Sequence, residues 1–249
     1  MNNRVAGETD RKLFESSVHL SRCRSEKGST GCSTIPLNGV NPADENLAVE
    51  LSTAELRAVA AYAVSCAEPA LAIFEHVRPD DQRPRAAIEA AQTFAEGAKR
   101  TKLIRDTAWA AHRAFQETRD AGQAAASEAA RAAVAAASAA FLHPLAKATQ
   151  VLHILGPAAH AARAFELQAL DDHIIGDEHI EKARNLASPT VVSVLTRYPP
   201  APAGRGRAGE LLRTLDTALR QPIVDAQPDE LHDQGEGPAS VPAVREGER

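Results

Sequence analysis

The chain has 249 residues, enough for one domain with extensions, and its 44% apolar share is dominated by 51 alanines. Setting alanine aside leaves about 24% of the chain as larger apolar residues, so a core here depends on thin helices packing closely. One Trp, two Tyr and six Phe exclude a broad base-stacking platform, and 28 basic against 33 acidic residues exclude a bulk-basic nucleic-acid binder. No run approaches about 18 apolar residues once alanine is counted as weakly apolar, so no membrane partner is expected. The start, Met1-Asn2-Asn3-Arg4, leads into charge without a hydrophobic signal core. Cys23, Cys32 and Cys66 make no even framework and no zinc spacing, so a reduced, cytoplasmic protein is expected. The whole net charge of −5 falls in residues 221–249, which carry seven acidic and two basic residues. That segment is either a solvated, disordered acidic tail or a fence for a basic partner.

Residues 1–50 show no sustained period and are expected to be a disordered N-terminal segment. Order begins at Ser52, where Ser52 and Glu55 form a capping-box pattern ahead of Leu56, Val59, Tyr62, Ala63 and Cys66 at helical spacing. Pro69 kinks or breaks this helix before Leu71, Ile73 and Phe74. Arg78–Pro84 is a turn; Asp80 or Asp81 caps the next helix, and Pro84 suits its first turn. That helix turns Ala87, Ile88, Ala91 and Phe94 inward and ends near Gly97. A third runs over about 101–119 with Leu103, Ile104, Ala108, Trp109, Ala111 and Phe115 as its apolar side. After Asp120-Ala121-Gly122, an alanine-rich helix reaches about His143; with only Val134 and Phe141 as large anchors, it belongs at the centre, clasped by neighbours. A fifth helix is expected from Pro144 to about Gln168, kinked at Gly156-Pro157. Shorter helices follow at 177–187, 189–198 and 208–219, and the only strand signal, Thr190–Leu195, lacks a partner. The fold expected is all-α: an alanine-rich multi-helix bundle of antiparallel helix pairs over residues 51–220, between two disordered tails.

Gly204-Arg205-Gly206-Arg207-Ala208-Gly209 matches a dinucleotide-binding G-x-G-x-x-G in letters, but a proline-rich linker precedes it instead of a strand, so it reads as a loop. No phosphate loop and no H-E-x-x-H occur. On one continuous helix, His143, Lys147 and Gln150 would share a polar stripe, with His153 and His160 on a second. Seven helical residues separate His153 from His160 by about 10.5 Å, too far for one zinc ion. These histidines are either interior and hydrogen-bonded across a tight helix pair or a partner-facing stripe. Asp171, Asp172, His173, Asp177, Glu178 and His179 either bind a divalent cation or, through Asp177 and Glu178, open a helix after Gly176. Asp81, Arg83, Arg85 and Glu89 either pin a turn, with Arg85 and Glu89 paired four apart, or present a recognition surface. No catalytic constellation, cofactor site or metal site is expected.

Asp80-Asp81-Gln82-Arg83-Pro84-Arg85-Ala86-Ala87-Ile88-Glu89-Ala90 resembles a block of the Imm-five-like immunity proteins of bacteria. The stretches Ala129–Ala133, Phe141–Pro144 and Gln150–Ala164 are similar to the same family. The resemblance covers about residues 52–220, with Phe94 where the family pattern has a tryptophan. It implies a helical protein of a polymorphic toxin system that binds and neutralises a cognate protein toxin without catalysis. It also marks Asp81, Arg83, Arg85, Glu89, Arg131, His143, Lys147, Gln150, His153, His160 and Arg163 as motif positions that either hold the fold or meet the partner. The rival readings are a helical enzyme or metal protein built on His143, His153 and His160, and a nucleic-acid-associated scaffold.

Overall fold

The computed structural model describes residues 48–204 and 206–221. The N-terminal segment through residue 47 and the acidic segment from residue 222, with the tails expected there, lie outside the described residues. Among the described residues the fold is all-α and contains no strand beyond one isolated bridge, Ala48 to Leu145.

Helix α1 (Thr53–Ala67) starts at the expected capping box. The Ser52 hydroxyl accepts the Glu55 N–H at 3.2 Å, and Glu55 Oε2 accepts the Ser52 N–H at 2.8 Å. Pro69 ends it in a single 3-10 turn, Glu68–Ala70, before α2 (Leu71–Val77). Together Thr53–Val77 is long and apolar enough to cross a membrane by length and composition, a test that the buried core helix of a folded domain also passes. Its apolarity has a local use here, because Val59, Tyr62, Ala63, Cys66 and Phe74 are buried in the core.

Helix α3 (Arg83–Ala95) carries Pro84 in its first turn, as expected, but its N-cap is Gln82 rather than Asp80 or Asp81. Asp81 acts from one position further out, its carboxylate accepting the Arg83 N–H at 3.1 Å. Helix α4 (Lys102–Asp120) buries Ile104, Ala108, Ala111 and Phe115 but leaves Leu103 60% exposed, so Leu103 does not belong to the apolar side. Gly122, at φ +72°, makes the reversal into α5 (Ala124–Ala139), a left-handed position that glycine takes without steric cost.

Helix α5 is central, as its alanines imply. Ala126, Ala129, Ala130, Ala133 and Ala136 join the larger core cluster, while Val134, Ala137 and Ala140 join a second with Phe94, Ile104 and Ala108. It packs on α1, α2, α3, α4 and α6. A Cβ added at Gly156 of α6 (Val151–Gln168) would touch the Ala135 Cβ at 3.6 Å, a measure of how closely these backbones approach.

The fifth helix does not start at Pro144. The Pro144 carbonyl accepts the Val49 N–H at 2.9 Å, and Leu145 bridges to Ala48, which holds this stretch extended until a 3-10 turn at Ala148–Gln150. Pro157 lies inside α6, which continues past it. Helix α7 (His173–Leu186) starts four residues before Asp177; Asp172 is its N-cap, accepting the Ile174 N–H at 3.0 Å. Helices α8 (Pro189–Thr196) and α9 (Arg207–Arg220) complete the bundle. The strand-like Thr190–Leu195 is helical because the Ser188 hydroxyl caps it and Val191, Val194 and Leu195 face the core.

Candidate functional site

The Arg-Pro-Arg block folds into the turn between α2 and α3 and lines an open cleft of about 670 Å³ against α4. Val77, Asp80, Gln82, Arg83, Ala110 and Glu117 are among its walls. Pro79 and Pro84 bracket the turn, and Pro84 presets the first turn of α3. Arg83 crosses the cleft. Its guanidinium holds Asp81 at 2.8 and 2.6 Å and forms a second, two-point pair with Glu117 of α4, one contact of which is 2.9 Å. The hydrogen bonds from Arg83 hold both carboxyls below their usual range: Asp81 also takes the Arg83 N–H, and burial opposes the shift in each. Arg78 fastens the other rim by donating from Nε to Gln123 Oε1 at 2.9 Å.

Arg85 does not pair with Glu89. It grips Glu75 of α2 at 2.6 and 2.8 Å, and Glu89 stands exposed without a hydrogen bond to it. The two-point geometry across helices offers more than the less favoured Arg-to-Glu order within one helix. Asp81, Arg83 and Arg85 therefore pin the turn, while Asp80 and Gln82 remain exposed on its rim.

The structure separates the polar residues that a continuous helix would have put on one stripe. His143 and Lys147 lie in the extended link before α6, with Lys147 exposed. Gln150, buried in the 3-10 turn, accepts the His143 N–H at 2.8 Å, and the His143 carbonyl accepts the Tyr198 hydroxyl at 2.9 Å. His143 Nδ1 is buried without a hydrogen-bond partner among the described residues. His153 is half-buried on α6, and burial holds its imidazole down to about 4. Of the two readings open for the histidines, His160 follows the cross-helix one: its Nδ1 lies 2.7 Å from Glu128 Oε2 of α5. Burial pushes Glu128 upward, but His160, with Arg131 and Arg163 beyond it, outweighs that and lowers its pKa. Arg131 sits 5.3 Å over the Phe115 ring.

Arg163 belongs to an ion-pair knot at the α6–α7 corner that sequence reasoning missed. Glu166, fully buried, receives Arg163 at 2.8 Å and Arg207 at 2.8 Å; Arg163 also pairs with Asp171, and Arg207 with Asp177 at 2.7 Å. Ligand atoms of Glu166, Asp171 and His173 lie within 4.8 Å of one another, a spacing that suits a divalent cation. Both carboxylates are already held by guanidiniums, whose charge opposes one. The acidic/His run of 171–179 is thus divided among a cap, two ion pairs and a ring contact, His179 stacking on Phe165 at 3.9 Å. The glycine-rich loop has no strand at 198–204 and enters α9 with Gly206 as N-cap at φ +78°; Arg205 lies outside the described residues.

Glu75, Glu117, Glu128 and Arg207 gave no signal of their own in the sequence. Their pairings with Arg85, Arg83, His160 and Glu166 span 10 to 41 positions, beyond any local spacing rule.

A family model described as "Imm-5 like putative immunity protein" matches residues 50–187, more than half of the chain. The chain belongs to that family. The match takes in α1 to α7 and both sides of the cleft. Helices α8 and α9 lie beyond it yet share its core through Val194, Leu195, Leu211 and Leu215. No curated protein and no solved structure gives a significant match.

Proposed function

We propose that this chain binds a cognate bacterial protein toxin in the cytoplasm and neutralises it by covering a functional surface, without catalysis. What supports the reading is that the chain belongs to a family described as putative immunity proteins, and that the turn resembling that family's block rims an open cleft whose charges are fixed in place. An inhibitor that works by blockade needs a preorganised surface more than a reactive group, because ordering side chains on binding costs affinity. Arg83, locked between Asp81 and Glu117, and Arg78, locked on Gln123, meet that need. Asp80 and Gln82 are exposed on the rim and make the partner contacts. The domain-sized unit, residues 51–220, is the binding module.

Co-expression with a toxin encoded beside this gene tests the reading. The unaltered chain restores growth and co-purifies with the toxin. The double substitution Asp80→Arg with Gln82→Arg, on exposed positions, weakens binding by about 10-fold or more while the thermal midpoint stays put. Full rescue by the double variant moves the contact surface away from the cleft; no rescue by the unaltered chain defeats the reading.

A further inference from the structure

The link from α3 to α4 and the first turn of α4 gather an excess of positive charge that nothing described here absorbs. Lys99, Arg100, Lys102 and Arg105 stand there, joined by Arg57 of α1, which donates to the Gly97 carbonyl at 2.6 Å, against two carboxylates, Glu96 and Asp106. Asp106 is taken by Lys102 at 3.0 Å, and Glu96 accepts from Gln92 at 2.7 Å. Arg100 and Arg105 both lie over the Phe141 ring, at 5.5 and 5.4 Å, and neither has a carboxylate partner among the described residues. Arg57 Nε and Arg105 Nε are buried without a hydrogen-bond partner among them. Leu103, 60% exposed, rises between these cations. Guanidiniums stacked on an aromatic, with an aliphatic beside them, form a surface suited to an acidic segment that also carries apolar residues.

We propose that this surface is the docking site of the chain's own acidic C-terminal segment, residues 225–236. Charge complementarity is the first argument: residues 222–249 hold seven acidic and two basic residues, and their net charge is that of the whole protein. The position of the exit is the second. Arg220 donates to the Tyr198 carbonyl at 3.1 Å, and the Tyr198 hydroxyl donates to the His143 carbonyl at 2.9 Å. His143 is two residues from Phe141, on which the arginines stack. The chain therefore leaves α9 at the end of the molecule that bears the basic surface. Asp225 is four residues past Gln221, a reach of about 13 Å, and Glu236 is fifteen past it, a reach of about 50 Å. A tether of that length keeps the segment at millimolar effective concentration, ahead of an outside anion of equal intrinsic affinity. The occupancy is independent of whether a toxin binds at the cleft.

Carbodiimide cross-linking of the full chain, mapped by mass spectrometry, tests this directly. At low salt, isopeptide bonds join Lys99 or Lys102 to carboxylates within 225–236 in the monomer. They fall several-fold at about 0.5 M salt, where charges are screened. Trp109, the single tryptophan, lies one helical turn after Arg105 and gives a second readout. Its emission responds to salt in the unaltered chain and stops responding when Asp225, Asp229, Glu230 and Asp233 are changed to Asn or Gln, positions outside the described fold. Cross-links confined to Asp106 and Glu96, cross-links to the acidic segment found only in covalent dimers, or an emission response unchanged in the neutralised variant would each overturn the proposal.

Discussion

At the scale of single residues, His153 couples the fold to pH. Burial lowers its pKa from 6.5 to about 4, so the folded chain refuses a proton that the unfolded chain accepts. Stability is therefore full above about pH 6.5, falls as pH drops through that window, and levels off below about 4. The loss over the window is on the order of 2 kcal/mol, allowing for the partial exposure of the ring. His153→Gln removes this part of the slope, so urea midpoints at pH 7.5 and 5 draw together; an unchanged slope would show that another group carries it. Carboxylates act lower in pH, since Arg197 and Ser52 hold Glu55 down to about 2, and its contribution is lost only as pH falls toward that value. The Ser52–Glu55 box was legible in the sequence because both members lie three positions apart. The pairing of Glu166 with Arg207 was not, because only folding brings positions 41 apart into contact.

At the scale of helices, contact distance decides what the sequence pattern leaves open. Gly176 of α7 lies directly against the buried Glu166, and a Cβ there would come within 2.0 Å of Glu166 Oε1. Gly176→Ala must displace a carboxylate that two arginines hold, at a cost of about 2–4 kcal/mol. Thermal unfolding of the variant checks this, and a midpoint within a degree of the parent would show that the knot is soft. The corner is strained as well: Leu170 and Asp171 adopt φ of 60° and 69°, with Leu170 96% exposed. The Asp171 N–H bonds the Glu166 carbonyl at 2.8 Å, and its carboxylate bonds Arg163, which together hold that conformation. Helix existence was readable from apolar spacing for α1, α3, α4 and α5. The late start of α6 was not, since it depends on Val49 and Ala48 reaching back to Pro144 and Leu145.

At the scale of the whole molecule, the core runs past the boundary of the family match. Val194, Leu195, Tyr198, Leu211, Leu215 and Leu219 are buried from the side of α8 and α9. At about 1.5–3 kcal/mol each, they contribute on the order of 10 kcal/mol, comparable with the entire stability of a domain. A chain ended after Ala187 is expected to lose cooperative unfolding and near-ultraviolet dichroism, although the match ends there; a sharp transition in that fragment would show the last helices to be dispensable. The cleft and the Lys99–Arg105 surface lie toward different ends of α4.

Composition alone determined that this chain is a small-residue helical bundle, because alanine both favours helices and lets them approach. Local spacing determined the first cap, the helix order and the motif block that resembles the family. Tertiary structure alone decided which carboxylate each arginine meets, that Arg85 turns to Glu75, and that His143 and Gln150 share a link instead of a helix face. The reason is range. Helical propensity and capping act within about four residues, whereas an ion pair between helices depends on how the backbones pack, which no local pattern encodes.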